Sequence, residues 1–425
     1  MSDAARHAGG SAAASTDAPE LSVLIVNYNS WRVCVDAVQS LLENPPTRAD
    51  GAQMPFEVIV VDNNSPARDG EAESRLRQVL DRCGGTLVEH DENGGYSKGM
   101  NLAYRHARGQ WLLVSNPDVL FLPGTLDELL RYAETHADAG AVAPAGYWDR
   151  GLECRLPPNI LPTLGDLWAV TRAGISPAAA RRYSTRRCRD AVAVWREDQA
   201  TDLTMLSGCC FLMSRALIEQ IGFFDERFPL YYEDTDISVR IRRAGRRVVH
   251  LPSARLVHLY NRSGETAHGE AMARYWVSRR AYYRKWYGPV GGWLQDLSRW
   301  FLATRRAQAW AQRPTHENVN VLPTSQDKPV IGLPRVMPYL VEISLDPRFY
   351  LAAGILGSGT EWSPSDALFA NFGPATYYFR VCDLSGDEPR EIGIWRYTRV
   401  YPDEWMQPPG GGSEQAEESV SGERS

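Results

Sequence analysis

The sequence predicts an α/β fold: a doubly wound, mostly parallel sheet, followed by basic helices and a small all-β C-terminal domain. Short apolar runs alternate with segments of helical length from Leu21 to about Val142. Residues 271–313 then show helical spacing with many basic side chains, and residues 337–402 return to short strand patterns. A chain of 425 residues that is 44% hydrophobic is long enough to bury such a core and to form two or three domains.

The overall composition narrows the function classes. A net charge of −6 argues against a nucleic-acid partner, which would favour a basic surface. The seven cysteines form no CxxC pair, which is typical of a reducing, cytoplasmic environment. The N-terminus lacks the apolar segment of a signal peptide, and no uninterrupted apolar run reaches the roughly 18 residues of a membrane span. We therefore expect a cytoplasmic protein.

Each element of the first domain follows from its pattern. Apolar runs predict strands at 21–26, 56–61, 86–88 and 111–114, and amphipathic spacing predicts helices at 31–42, 71–80 and 97–108. Several prolines and weak periodicity indicate an insertion of loops and short helices over 144–200. Regular structure is expected again at 204–214, in a helix over 233–244 and in a strand over 248–257.

These patterns predict the domain boundaries. We expect a disordered leader over 1–20, the α/β domain over 21–270, basic aromatic helices over 271–313 and a linker over 314–336. The β domain over 337–402 is expected to contain strands at 339–345, 350–356, 376–381 and 392–400, before a disordered tail over 403–425. Glycan binding and oligomerisation both remain open as roles for this β domain.

Polar side chains follow the first two predicted strands. Asn27 and Asn29 come after the first strand, and Asp62 ends the second. Open α/β sheets bind ligands at the carboxyl ends of their strands, where these groups could contact a nucleotide base or ribose. Each residue could alternatively form a turn or cap a helix. However, both strand ends open onto the same face of the sheet, which favours a shared binding role.

A glycine-dense segment, Asn93 to Asn101, immediately precedes a predicted helix and contains Gly95 and Lys98. Glycines permit close approach of the backbone, and the start of a helix offers N–H donors to phosphate. The segment is not a Walker loop, because GK[ST] is absent. A flexible turn is the alternative interpretation.

Asn116-Pro117-Asp118 closes the fourth apolar run, so a carboxylate lies at the end of a buried strand. That position suits a hard divalent cation, Mg²⁺ or Mn²⁺, that is also held by substrate phosphates. Further along the chain, Glu233, Asp234 and Asp236 crowd the start of a helix. Crowded carboxylates raise one another's pKa, which suits a general base, although acids also cap helices.

The ordered motifs resemble the inverting, GT-A type family 2 glycosyltransferases over roughly residues 21–290, and Asn-Pro-Asp with Tyr-Glu-Asp-Thr-Asp is similar to the rhamnosyltransferase-type members. The resemblance implies a nucleotide diphosphate sugar donor, a glycan or lipid-linked acceptor in surface polysaccharide synthesis, and a divalent metal. It implies that Asp234 is the base, with Glu233 and Asp236 positioning it or touching the acceptor, and that Asp118 and His258 hold the metal. The donor-binding set is then Asn27, Asn29, Asp62, Asn93, Gly95, Lys98, Asn101, Asn116 and Arg262.

Two features of the sequence each allow a second interpretation. A lone histidine such as His258 is often structural. The basic stretch 271–313 suits the anionic headgroups at a membrane surface, but it could equally be a pair of helices packed on the α/β domain with a solvated basic side. Oligomerisation through the β domain is also open.

Two rival functions follow from the same sheet. A sugar nucleotidyltransferase would show a Gly-rich basic loop directly after the first strand, which is absent after Asn29. A non-catalytic nucleotide-sugar or carbohydrate-binding protein would have lost the acids, whereas Asp62, Asp118 and Asp234 are present. The sequence therefore favours an enzyme, a metal-dependent hexosyltransferase.

Overall fold

The computed structural model describes residues 18–48, 50–259 and 268–400. Most of the expected leader and the whole expected tail over 403–425 lie outside these residues, as does Arg262. The strands are β1 Leu21–Asn27, β2 Phe56–Asp62, β3 Thr86–Glu89, β4 Trp111–Ser115, β5 Val119–Phe121, β6 Ala139–Tyr147, β7 Cys154–Arg155, β8 Thr201–Asp202, β9 Cys210–Ser214, β10 Arg247–His258, β11 Val319–Val321, β12 Ile331–Ser344, β13 Ala353–Trp362, β14 Thr376–Asp383 and β15 Arg390–Thr398.

The helices are α1 Trp31–Glu43, α2 Gly70–Arg82, α3 Tyr96–His106, α4 Thr125–Thr135, α5 Leu164–Ala173, α6 Pro177–Trp195, α7 Arg215–Ile221, α8 Glu233–Arg243, α9 His268–Leu302, α10 Arg305–Ala311 and α11 Asp366–Phe369. The predicted elements of the first domain therefore form within one or two residues of their expected bounds, except that the regular segment expected over 204–214 contains only β9.

The central sheet confirms the predicted α/β architecture. β1 pairs in parallel with β2 on one side and with β4 on the other, and β3 adds in parallel to β2. β9 then pairs antiparallel with β4, and β10 pairs in parallel with β6. The register of β1 and β2 places Asn27 directly opposite Asp62, at the carboxyl ends of both strands.

Alternate residues of the strands supply two separate cores. In β1, Val23 and Ile25 face the core shared with α1, α2 and α4, whereas Leu24 and Val26 face the core shared with α3, α7 and α8. A strand buried on both faces reads as a continuous apolar run, and Leu-Ser-Val-Leu-Ile-Val-Asn is such a run. Helices on both faces leave the strand ends as the accessible edge.

The C-terminal strands continue the central sheet. The short β7 pairs with β6 on one side and with β13 on the other, so that a single hydrogen-bonded order runs from the α/β strands into β12–β15. On one face, Cys188, Val192 and Trp195 of α6 pack with Leu340 and Leu384. The two strand regions therefore share a sheet and a packed interface.

Several expectations are wrong in detail. The stretch 314–336 contains β11 and the start of β12, because β12 continues past Pro334 through an irregularity in its pairing with β13 between Gly332 and Met337. The strand expected at 350–356 begins at Ala353 and runs to Trp362. Helix α6, in the insertion expected to hold only short helices, has 19 residues with a Ser176 cap and Pro177 in its first turn.

Helix α9 spans the first part of the basic stretch and is broken at Gly288, whose φ of 70° is not helical, just before Pro289. Among the described residues, no helix combines the length and the apolar character needed to span a bilayer.

Candidate active site

Asn27 and Asp62 form a buried hydrogen-bonded pair at the ends of β1 and β2. The Asn27 amide donates to Asp62 Oδ1 at 2.9 Å, and Ser65 donates to the same carboxylate through its backbone N–H. Asn29, in a left-handed conformation with φ of 55°, accepts a hydrogen bond from the Ala67 backbone. The predicted Asn27, Asn29 and Asp62 are thus brought together by the adjacent strand ends.

The glycine-rich segment lies beside this pair. Asn63 donates to Asn93 Oδ1 at 3.1 Å, which links the loop after β2 to the loop before α3. Gly95 has a φ of 86°, and a Cβ added there would lie 2.3 Å from the carbonyl oxygen of Pro229. Only glycine fits this close approach, because a left-handed φ and a backbone contact coincide there.

The other two residues of that segment point to different neighbours. Lys98 forms an ion pair with Glu92 at 3.0 Å. The Asn101 amide group donates to the backbone of Phe224 at 2.9 Å and to Glu226, and its oxygen accepts from the Phe224 N–H. Asn101 therefore fastens the loop before α8 to α3, which is a positioning contact.

Asp118 lies 1% exposed after β4, with its Oδ1 at 3.1 Å from His258 Nε2 at the end of β10. The antiparallel pairing of β5 with β10 brings Val119 opposite His258 and so holds the pair together. Burial lowers the pKa of His258, but hydrogen bonds to Asp118 and Cys209 outweigh this and raise it to about 10. Asn116 Nδ2 lies at 3.5 Å from the same His258 nitrogen.

These side chains fit a divalent cation. A carboxylate and an imidazole from paired strands offer one oxygen and one nitrogen ligand, and the carboxylate oxygen is the ligand type that Mg²⁺ and Mn²⁺ prefer, together with phosphate oxygens of a bound nucleotide. With a pKa of about 10, raised by its hydrogen bonds to Asp118 and Cys209 and by the charge of Asp118, His258 carries a proton at neutral pH that a bound cation would have to displace.

Glu233, which is buried, and Asp234, which is half-buried, are adjacent carboxyl residues that open helix α8. Asp234 accepts hydrogen bonds from the backbone N–H groups of Gly208 at 3.1 Å and Thr235 at 2.6 Å. Burial raises the Asp234 pKa, although these donors oppose the shift. Burial and the nearby Asp234 raise the pKa of Glu233 well above its usual range, and its Oε2 has no hydrogen-bond partner. The Asp234 carboxylate is thus held by two backbone donors, whereas one carboxylate oxygen of Glu233 has no hydrogen-bond partner.

Asp236 has a different environment. Its carboxylate is fully buried and contacts Arg240 at 2.8 Å, Lys285 at 2.6 Å and the Trp286 indole N–H at 3.0 Å. All of these partners tie α8 to its own turn and to α9. These contacts anchor Asp236 between α8 and α9, and its expected role of positioning the base or touching the acceptor stays a prediction.

The turn that presents the acids is strained. Tyr231 and Tyr232 both have positive φ, 63° and 69°, which is rare for aromatic residues and costly. Tyr232 packs against Tyr275 and Tyr282 of α9, and Ser278 donates to the Leu230 carbonyl at 2.8 Å. The first half of α9 therefore holds this turn in place.

Sequence reasoning missed two parts of the site. Arg274 of α9 donates to both the side chain and the backbone carbonyl of Asn93, at 2.9 and 3.0 Å, so that α9 clamps the glycine-rich loop. The Cys209 carbonyl accepts a hydrogen bond from the Asn116 N–H, and the Cys209 side chain hydrogen-bonds His258. A long-range contact of this kind leaves no local signal in the sequence.

The residues before β9 connect the two clusters of acids. Gly208 binds Asp234, and the next residue, Cys209, binds Asn116 and His258. The carboxyl pair of α8 and the Asp118–His258 pair therefore lie on either side of one short segment. Tyr96, next to Gly95, donates to the Gly208 carbonyl at 3.3 Å and closes the same crevice.

Curated relatives resemble this chain over about half of its length. An N-acetylglucosaminyl-diphospho-decaprenol L-rhamnosyltransferase from Mycobacterium tuberculosis is 27% identical over 218 residues, which cover 48% of this chain and 67% of that protein. The O-antigen biosynthesis protein RfbC from Myxococcus xanthus is 29% identical over 249 residues, 56% of this chain but 17% of that protein. Among solved structures, the mannosyltransferase PcManGT from Pyrobaculum calidifontis, in complex with GDP-Man and Mn²⁺, is 19% identical with a TM-score of 0.42, covering 70% of this chain and 74% of that one.

The family assignment rests on the sequence match together with the observed fold. Residues 22–222 match the profile of glycosyl transferase family 2, which spans β1 to the end of α7 and includes the Asn27–Asp62 pair, the glycine-rich loop and Asp118. Residues 22–222 of this chain therefore form a glycosyl transferase family 2 domain.

Proposed function

We propose that this chain transfers a sugar, with rhamnose as the first candidate, from a nucleotide diphosphate sugar to a hydroxyl of a glycan or lipid-linked acceptor, with inversion at the anomeric carbon. The observation that carries the proposal is the shared segment Gly208–Cys209, which holds Asp234 on one side and the Asp118–His258 pair on the other. A base for the acceptor and a site for the departing diphosphate therefore lie next to each other. The rhamnosyltransferase relative supports the sugar and a polyprenyl diphosphate acceptor.

Asp234 is the proposed general base. Two backbone N–H donors orient its carboxylate, and burial raises its pKa toward the range in which a base works best at neutral pH. It takes the proton of the acceptor hydroxyl as that oxygen bonds to the anomeric carbon and the bond from that carbon to the diphosphate breaks. Glu233, whose raised pKa favours its protonated form beside Asp234, is the alternative base.

The donor lies, in this proposal, along the strand ends. The Asn27–Asp62 pair would hold the nucleoside through ring N–H and ribose hydroxyl groups, and Asn93 and Gly95 would border the sugar phosphate. Asp118 and His258 would hold Mg²⁺ or Mn²⁺, which would neutralise charge on the diphosphate leaving group. Asn116 lies close enough to His258 to orient its ring.

Nucleotide release by the purified protein tests the proposal. A panel of nucleotide sugars is supplied with Mn²⁺ or with EDTA, to wild type, Asp118→Ala and Asp234→Asn. We expect turnover with one donor class, its loss in EDTA and in Asp118→Ala, and a loss of about 10²–10⁴-fold in Asp234→Asn with the donor still bound.

Asp138→Asn is the matched control, because Asp138 is an exposed carboxylate paired with Arg247. Donor binding without turnover under any acceptor condition would favour a non-catalytic binding protein. A requirement for a nucleoside triphosphate and a sugar phosphate would instead indicate a nucleotidyltransferase, and no binding of any donor would overturn the proposal.

A further inference from the structure

An apolar surface formed by α5 and α9 faces outward. After the break at Gly288, α9 exposes side chains at a spacing of three and four residues, which places them on one side of the helix. This indole face consists of Trp168 of α5 with Val290, Trp293, Leu297 and Trp300 of α9. Its three tryptophans are 64%, 61% and 65% exposed, which is unusual for the largest apolar side chain.

The opposite side of the same helix is the polar one. Ser298 is buried and hydrogen-bonds Thr171 of α5 at 2.6 Å, and Gln295 is 1% exposed. A surface helix ordinarily turns its apolar residues inward. Here polar groups and Leu294, which packs in one cluster with Leu167, form the contact with α5, while the indoles face outward.

A groove of about 530 Å³ runs between the two helices beneath this face. Its walls include Leu167 and Trp168 from α5 and Leu297, Trp300 and Phe301 from α9. These are aliphatic and aromatic side chains, and the groove is open at the surface. Its chemistry suits a hydrocarbon chain better than a sugar or a nucleotide.

Cationic groups border the apolar face. A neighbouring pocket of about 240 Å³ is lined by Arg172, Arg182 and Arg186 beside Trp168, and Arg305 and Arg306 are exposed just after α9. Over 164–186 and 289–313 the acidic residues are Asp166 and Asp296, and each is ion-paired with an arginine. The rim is therefore positively charged although the whole chain is acidic.

We propose that the indole face docks on the surface of an anionic phospholipid bilayer. Indoles prefer the boundary between headgroups and acyl chains, and arginines at the same level pair with lipid phosphates. Contact with a second copy through this face would bring the two arginine rims together, which like-charge repulsion disfavours. The inference concerns a surface outside the reaction centre, and it would carry the site to an acceptor that resides in the membrane.

Co-sedimentation of the full chain with vesicles tests the proposal. We expect binding to phosphatidylglycerol-containing vesicles, weak binding to pure phosphatidylcholine, and loss of binding as salt rises. The double variant Trp293→Ser with Trp300→Ser should lose at least about tenfold in affinity, and Arg172→Gln with Arg182→Gln roughly fivefold or more. Brominated acyl chains should quench the tryptophan fluorescence of the wild type.

Val321→Ser with Val336→Ser is the matched control, because both valines are exposed on the C-terminal strands. Nucleotide binding by every variant shows that the fold and the donor site are intact, so this test can fail while the proposed reaction stands. Equal vesicle binding by the tryptophan variant and the control would overturn the proposal. A wild-type dimer in light scattering that the tryptophan substitutions dissociate, without vesicle binding, would assign the face to a second copy instead.

Discussion

At the scale of single residues, the most specific chemical expectations concern the carboxyl pair Glu233 and Asp234. The two acids are neighbours in the chain, Glu233 buried and Asp234 half-buried, and the backbone N–H groups of Gly208 and Thr235 orient Asp234. Burial raises both pKa values, and the charge of Asp234 raises that of Glu233 further. A base must be deprotonated to act, so transfer should rise with pH through the pKa of the base.

The substitution Glu233→Gln should leave the acidic limb of the pH–rate profile near its wild-type position. Burial and the charge of Asp234 keep Glu233 protonated, so a neutral amide replaces a neutral acid while the Asp234 carboxylate keeps its two backbone donors. The measurement is kcat against pH for wild type and variant with saturating donor. Rates that vanish at every pH in Glu233→Gln but survive in Asp234→Asn would reverse the two roles.

Gly95 gives a prediction that depends on a single carbon atom. Gly95→Ala should weaken donor binding and reduce the free energy of unfolding by about 1–3 kcal/mol, because its Cβ would meet the Pro229 carbonyl and push the glycine-rich loop away. Donor titration and urea unfolding measure both effects.

Gly124→Ala is the control for Gly95→Ala. Gly124 also has a positive φ, 79°, but nothing lies within 4 Å of its added Cβ. Equal losses in the two variants would attribute the effect to backbone conformation alone and contradict the role of the Pro229 contact.

At the scale of elements, α9 explains why part of the site was predictable and part was not. Local signals marked the strand ends with Asn27, Asp62 and Asp118, because a polar residue after a buried run is visible in the sequence. The contacts of Arg274 with Asn93 span 181 positions and have no local pattern. The ion pair of Asp236 with Lys285 was not predictable for the same reason, because Lys285 belongs to a helix whose docking the sequence did not specify.

Asp236→Asn should destabilise the protein by about 3–5 kcal/mol, because it leaves the positive charges of Lys285 and Arg240 without their buried partner. Urea unfolding followed by circular dichroism measures the change. The more exposed Asp296, paired with Arg280, is the control, and Asp296→Asn should change stability by no more than about 1 kcal/mol. Full stability of Asp236→Asn with loss of transfer would support the acceptor role that the sequence predicted.

At the scale of the whole molecule, the C-terminal strands belong to the same sheet as the candidate active site. The sequence indicated a change of character near residue 337 but could not show that β7, a two-residue strand inside the insertion, connects the two regions. Such a short strand has no periodicity to detect. That residues 337–402 fold as a separate domain remains a prediction. Because these strands pack against α6, the prediction has to be tested by unfolding.

Arg380 tests whether the two regions unfold together. Its guanidinium is 2% exposed, binds Glu342 at 2.6 Å and donates to Ser184 of α6, so that it joins β14 and β12 to the insertion. Arg380→Met should lower the free energy of unfolding by about 3–5 kcal/mol, because Glu342 is left charged and buried. Arg335→Met is the control, since Arg335 forms an exposed pair with Asp383.

The decisive measurement is whether that loss is shared by the donor site. Urea titration followed by nucleotide binding reports the α/β strands, and titration followed by circular dichroism reports the whole chain. If the sheet unfolds as one cooperative unit, Arg380→Met lowers both urea midpoints equally. In a two-state transition, a loss of stability near β14 lowers the free energy of unfolding of the whole chain. If nucleotide binding keeps its wild-type midpoint while the other transition moves, the C-terminal strands fold as an independent domain despite the shared sheet.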